Sequence, residues 1–364
     1  MRNMPDNTLR CPKRLLHLDL LRIIAIFFVI FNHTSSRGYL LFADRMDSVL
    51  YFPYMAVSVL CKVAVPIFFM ISGALLLPKQ ETLAELFSKR ILRMVVILVL
   101  ISVPYYVWLH SSQGLDLPNF FTYIYCNSAS TSLWYLYSYI ALLLMMPFLR
   151  SMVKGMKEMD FLYLIAGYVL VSGVIPCLEF CLWKADMPLH QSFNPVLFMA
   201  PNIFYALVGY YLEHVLDLGR ISRKHILLGA VFCCVTLGIT CFFTHWQAQM
   251  LGSCDTEQLE RFFNCFICFP AMMLYVLMKQ ACNKIRNERI QKLLLIAGDA
   301  VFGIYLIEKF ARALTDAVYV VVQPILGSFT ASLLWAFASF FLSFLVVFIL
   351  KHMPIIKKIV NQFI

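Results

Sequence analysis

Ten apolar stretches recur along the chain, at about 17–37, 51–76, 90–109, 131–150, 160–179, 195–216, 225–244, 261–279, 293–315 and 328–351. Each is close to the 17–25 residues that a helix needs to cross a hydrocarbon core. The pattern predicts an all-α, polytopic membrane helix bundle of ten transmembrane helices. Composition agrees: 61% of residues are hydrophobic and 14% charged, whereas a soluble domain carries about 25% charged residues. No gap between runs is long enough for a soluble domain, the longest lying near Leu109 to Ser130. Residues 1–364 therefore read as one membrane domain, with any chemistry inside the bundle or at its two mouths. The first run follows a basic flank and lacks a small-residue cleavage site, so it reads as a retained helix.

The formal net charge of +10 does not point to nucleic acid, because the basic residues sit in alternate gaps. Arg2, Arg10, Lys13 and Arg14 precede the first run; Lys79, Lys89, Arg90 and Arg93 follow the second; Arg150, Lys154 and Lys157 follow the fourth. Arg220, Arg223 and Lys224, then Lys279 to Lys292, then Lys351, Lys357 and Lys358 continue the series. The intervening third and ninth gaps hold no Lys or Arg, and the seventh is acidic. The positive-inside rule then places both termini in the cytoplasm. The twelve cysteines fall mostly within apolar runs, where they read as small buried side chains, and no paired C-x-x-C spacing supports a zinc site.

Charged groups inside a spanning helix are expensive and normally face a protein interior or a cavity. The first run carries Asp19, Arg22, Asn32 and His33. Arg22 and His33 are about 20° out of phase and roughly 16 Å apart along a helix axis, so they share a face at two depths. Lys62 lies mid-run in the second span, and Pro66, four residues on, would free the carbonyl of Lys62 and kink the helix. Ser72 and Gly73 permit close helix approach. Arg90 and Arg93 at the third helix start either set topology or bind phosphate, which the arginine fork matches well. Trp134, Tyr135, Tyr137 and Tyr139 read either as an interfacial aromatic girdle or as a grip on a sugar ring or a quinone-like group.

The ninth span carries Asp299 and Glu308 at depths matching Arg22 and His33, giving the candidate pairs Arg22–Asp299 and His33–Glu308. Asp299 and Glu308 are about 180° out of phase on a straight helix, so both pairs need a distortion. Glu308 has a competing partner in Arg312, four residues on. A histidine oriented by a carboxylate is a general-base arrangement, able to take a proton from a hydroxyl. Near the outer leaflet, that hydroxyl would belong to an envelope molecule. No H-E-x-x-H or G-x-S-x-G motif is present.

The run Leu18-Asp19-Leu20-Leu21-Arg22-Ile23-Ile24-Ala25, followed by Asn32-His33, resembles the first-helix signature of the bacterial acyltransferase-3 family of membrane O-acyltransferases, an arginine and a histidine separated by ten residues. Lys62 to Gly73, with its aromatic pair and Ser-Gly, resembles the second-helix motif of that family. Lys89-Arg90-Ile91-Leu92-Arg93, Ser132-Leu133-Trp134-Tyr135-Leu136 and Phe302-Gly303-Ile304-Tyr305-Leu306-Ile307 resemble three further motifs in the right order. One departure stands out: the late motif usually ends in histidine, and position 308 here is glutamate.

The resemblance implies transfer of an acyl group, acetyl in the first instance, from cytoplasmic acyl-CoA to a hydroxyl of an envelope glycan or lipid-linked sugar. The protein would be multi-pass in the bacterial inner membrane, among membrane lipids. It implies His33 as general base with Arg22 and Glu308 in the catalytic set. Arg90, Arg93 and Lys62 would hold the donor, and Asn32, Trp134 and Tyr137 the acceptor. Asp19, Asp299, Ser72 and Gly73 would pair helices. No metal or resident cofactor is implied; acyl-CoA is a co-substrate. The alternative function is transport of a small solute, such as an amino acid, or of a glycan, since a membrane-bound serine racemase carries a related uptake module.

Overall fold

The computed structural model describes residues 15–43, 46, 48–110, 116–184, 190, 192–251 and 261–353, and among these the chain is helical with connecting turns. Seven helices are long and apolar enough to cross a membrane. They are α2 (Tyr51–Leu76), α3 (Leu83–Leu109), α5 (Thr131–Gly155), α6 (Glu158–Trp183), α8 (Arg223–Met250), α10 (Glu288–Leu314) and α12 (Ser328–His352). The other three expected spans are occupied by shorter helices: α1 (Leu16–Asn32), α7 (Pro201–Tyr210, extended by a π-helical turn over Tyr211–Val215) and α9 (Cys268–Cys282). The 17 residues of α1 and 15 of α9 span about 25 Å and 22 Å at 1.5 Å per residue, less than a hydrocarbon core of about 30 Å.

The short helices have local causes. The first expected span runs to 37, but α1 stops at Asn32 and the chain turns through His33 into a 3-10 turn over Ser35–Arg37. The sixth is interrupted at Ala200, after which Pro201 opens α7. Proline lacks an N–H and suits a first helical position. Shortness is tolerated because α1 packs against α2, α9, α10 and α12 rather than lying against lipid. Both ends of α1 are anchored by a histidine–glutamate pair. His17 Nε2 lies 3.0 Å from Glu213 of the α7 extension, which also accepts from Tyr275 of α9 at 2.8 Å. The pair at the other end, His33–Glu308, belongs to the candidate site.

Two further helices, α4 (Leu117–Cys126) and α11 (Asp316–Leu326), occupy the third and ninth gaps. They are too short and too one-sided to register as apolar runs. Asp116 caps α4 by accepting from the Asn119 N–H.

Inside α2, the helix is regular over Tyr51–Cys61 and Ala64–Leu76, with the break at Lys62 and Val63. There the amides of Lys62 and Val63 bond three residues back, to Val59 and Leu60. Pro66, which has no N–H to return to the Lys62 carbonyl, explains the break. The C-terminal half of α2 packs on α7 without side chains between them. A Cβ on Gly73 would lie 1.8 Å from the Ala206 carbonyl oxygen, and one on Gly209 would lie 1.9 Å from that of Met70. Small residues are what allow such backbone contact between membrane helices.

This contact predicts that Gly73→Ala lowers the thermal midpoint in detergent, since the two helices must separate; overpacking of this kind costs about 1–3 kcal/mol. Gly238→Ala in α8, where a Cβ meets nothing within 4 Å, is expected to be neutral or stabilising. Equal effects of the two substitutions would show that the Gly73 contact is not what holds α2 to α7.

Candidate active site

His33 follows the last turn of α1, and Glu308 lies in the C-terminal half of α10. The His33 Nδ1 to Glu308 Oε1 distance is 2.8 Å. An ionised carboxylate only accepts, so the neutral ring must donate from Nδ1, which leaves Nε2 as its free base. Glu308 is fully buried. Its Oε1 also accepts from the Ser132 hydroxyl at 3.2 Å, and its Oε2 from Arg312 Nε at 2.9 Å. The two partners weighed for Glu308, His33 and Arg312, are therefore held at once, one on each oxygen. Arg312 Nη1 additionally donates to the His33 carbonyl, so the same guanidinium ties the backbone of the histidine to the carboxylate that orients its ring. Tyr305 supports the Ser132 turn by donating to its carbonyl at 2.6 Å.

His33 lies on the wall of a cavity of about 870 Å³. Arg22, Asn32, Lys62, Ser72, Arg90, Arg93, Trp134 and Asp299, all singled out from the sequence, line the same space. Tyr137 does not: its hydroxyl donates to the carbonyls of Ile124 and Asn127 and fastens the end of α4. Tyr135 and Tyr139 face the cavity in its place. Residues four apart share a helix face, and the residue midway between them points the other way. Glu308 sits behind His33 rather than on the wall, and Gly73 serves the α2–α7 contact.

At the other end of the cavity, Arg22 pairs with the fully buried Asp19 one helical turn away, at 2.7 Å, and Asp299 bonds Lys351 at 2.9 Å. Gly298 makes room for Asp19, since a Cβ there would lie 2.6 Å from the aspartate Cβ. The basic start of α3 is organised by a residue the sequence reading passed over, Glu81. Arg90 Nε donates to it at 2.9 Å, and Arg150 Nη2 at 2.8 Å. Arg150 Nε also caps α2 through the Leu76 carbonyl at 3.1 Å. Arg90 is thus committed to an ion pair. Arg93 differs: its Nε is buried and has no hydrogen-bond partner among the described residues. Arg90 lies in a π-helical turn over Phe87–Ile91, whereas Arg93 sits in the regular α-helix that follows. Together, Arg93, Lys79 and Arg22 make one end of the cavity cationic, which suits a phosphate-bearing ligand. Among the described residues, no cluster of three or more His, Cys, Asp or Glu is placed to hold a metal ion.

The arrangement pairs a base on one reach of a cavity with cations on another. A family model described as an acyltransferase domain matches residues 15–352. No curated protein and no solved structure matches the chain.

Hydrogen bonds from Arg90, aided by those from Arg150, hold the Glu81 carboxyl down from 4.5 to about 2. A depressed carboxyl contributes stability above its unfolded value, and that contribution is lost as pH falls toward the folded one. Glu81→Gln is therefore expected to lower the thermal midpoint at neutral pH. The gap to the unsubstituted protein should close as pH falls from about 4.5 toward 2. Parallel curves over the accessible part of that range would show that the ion pair adds no stability.

Proposed function

The chain belongs to the bacterial acyltransferase-3 family, and on that premise we propose that it moves an acetyl group from cytoplasmic acetyl-CoA to a hydroxyl of an extracytoplasmic carbohydrate, with His33 as the base. As a family member, it is an acyl-CoA-dependent O-acyltransferase of the inner membrane, multi-pass and in contact with lipid. Seven long and three short helices at the ten expected positions support ten crossings, and the alternating basic loops support cytoplasmic termini. In this reading, the cationic end of the cavity faces the cytoplasm.

The donor enters at that end. Arg93 and Lys79, with Arg22 deeper, meet its phosphates, and Arg90 stays with Glu81. The thioester lies below His33. The acceptor hydroxyl arrives from outside past Trp134 and Asn32. His33 Nε2 takes the hydroxyl proton as the oxygen attacks the thioester carbonyl. Collapse of the tetrahedral species expels the CoA thiolate, which receives that proton from the imidazolium. Glu308 holds the ring in this tautomer and stabilises the imidazolium between the two transfers, as a carboxylate behind a catalytic histidine does. Arg312 keeps Glu308 ionised and aimed. The observation that carries the reading is the His33–Glu308 pair on the wall of a cavity whose other reach is lined by arginine and lysine.

The test is acetyl-CoA binding and thioester hydrolysis by purified protein in detergent. His33→Ala is expected to retain saturable binding and to lose turnover by about 10²–10⁴-fold. Near-normal turnover in folded His33→Ala would remove His33 as the base. Arg93→Ala and Arg22→Ala are expected to weaken binding about tenfold or more, the equivalent of about 1.4 kcal/mol for a lost charge-assisted contact. Unchanged donor affinity in both would place the phosphates elsewhere.

A further inference from the structure

Lys309 is adjacent to Glu308 in sequence yet turns away from it. Both oxygens of Glu308 are occupied by His33, Ser132 and Arg312. The Lys309 ammonium instead donates to the Ser130 hydroxyl at 3.3 Å, and stands 5.7 Å and 5.8 Å from the ring centres of Tyr105 and Trp108. No carboxylate among the described residues lies within ion-pair distance of it. Of the cations within four residues of His33 or Glu308 in the chain, Arg312 pairs with Glu308 and Arg37 with Asp316. Lys309 is the one whose charge the fold leaves unbalanced there, among the described residues.

Its position is informative. A lysine that merely anchors a helix end extends toward the headgroups. Here the ammonium is turned toward Ser130, which is only 3% exposed and precedes Ser132 by two residues. Three elements meet at the spot: the end of α3 at Trp108, the 130–134 turn, and α10 beside its catalytic carboxylate. Two indoles are about half exposed there, Trp108 at 45% and Trp134 at 48%, and Trp134 also lines the cavity. Exposed aromatic faces suit the apolar face of a sugar ring, while a part-buried ammonium with no carboxylate partner among the described residues suits an anion.

Building on the acyl-transfer reading, we infer that the acceptor is an anionic saccharide, its negative group bound by Lys309 and its ring laid against Trp108 or Trp134 while the reacting hydroxyl reaches His33. The anion is either the carboxylate of an acidic sugar or the phosphodiester of a polyol phosphate chain, both of which an ammonium recognises as point charges.

The test uses the full chain in neutral detergent with three acceptor probes: oligomers of N-acetylneuraminic acid, of glycerol phosphate and of N-acetylglucosamine. Acceptor-stimulated release of free CoA from acetyl-CoA gives KM and kcat for each. The expected result is a KM for one of the two anionic oligomers about tenfold or more below that of the neutral one, with the two arms identifying carboxylate or phosphate. Lys309→Gln should raise that KM about tenfold with a smaller change in kcat, and Lys309→Arg should restore it, as expected for loss and recovery of one charge-assisted contact. Equal KM values for charged and neutral probes, no stimulation by either anionic probe, or equal changes toward all probes in Lys309→Gln would overturn the inference. So would a Lys309 effect seen only when anionic phospholipid is present, which would make the ligand a lipid headgroup. Hydrolysis of acetyl-CoA without acceptor separates the two levels. His33-dependent hydrolysis without anion preference overturns this inference alone; its absence overturns the acyl-transfer reading and this inference with it.

Discussion

A single fully buried carboxylate, Glu308, holds the His33 end of the site together. A buried charge is tolerated only when paired and hydrogen-bonded, and removing one partner of such a pair costs about 3–5 kcal/mol. Glu308 has three donors from three places: His33 after α1, Ser132 at the start of α5, and Arg312 one turn further along α10. Satisfying one charge therefore sets where α1 ends, how the 130–134 turn sits, and which tautomer His33 adopts. Arg312, by reaching the His33 carbonyl as well, makes the backbone of the histidine part of the same network. A glutamate suits this place because it offers two oxygens to three donors.

The other reach of the cavity solves a different problem. Several cations stand close together, and nearby carboxylates take up part of their charge. Glu81 takes up Arg90 and Arg150, and Asp19 takes up Arg22. What remains is Arg93, with a buried and unpartnered Nε, and Lys79 on the cavity wall. The site thus keeps a small number of free donors within a neutralised basic cluster. In the reading offered above, the negative end of the donor supplies their missing partner, and the apolar walls between them and His33 carry the rest of the molecule.

Much of this was legible from side-chain periodicity. The shared face of Arg22 and His33 follows from eleven residues of helix, and both line the cavity. The apolar runs located the helices, although three are shorter than their hydropathy suggested: α1 stops at the turn after Asn32, and α7 starts only at Pro201. Other features were not legible. Arg312 and His33 looked like competitors for Glu308 because a one-dimensional reading assigns one partner per charge. Tyr137 looked equivalent to Tyr135 and Tyr139 because the sequence shows that a helix is aromatic, and not which face turns inward. Glu81 was not singled out, since its partners Arg90 and Arg150 come from two different helices.

The sequence by itself determined the membrane-spanning helical class and the chemistry available: a histidine, a carboxylate at matching depth, and a basic gap between helices. These depend on composition, hydropathy and helical period, which are local properties of the chain. Only the tertiary structure decided which charges neutralise each other and which are left over. It assigned Arg90 to Glu81, left Arg93 Nε without a partner, and turned Lys309 away from its neighbour Glu308. The physical reason is that ion pairing acts over a few ångströms between helices distant in sequence, so its outcome depends on packing that no periodicity encodes.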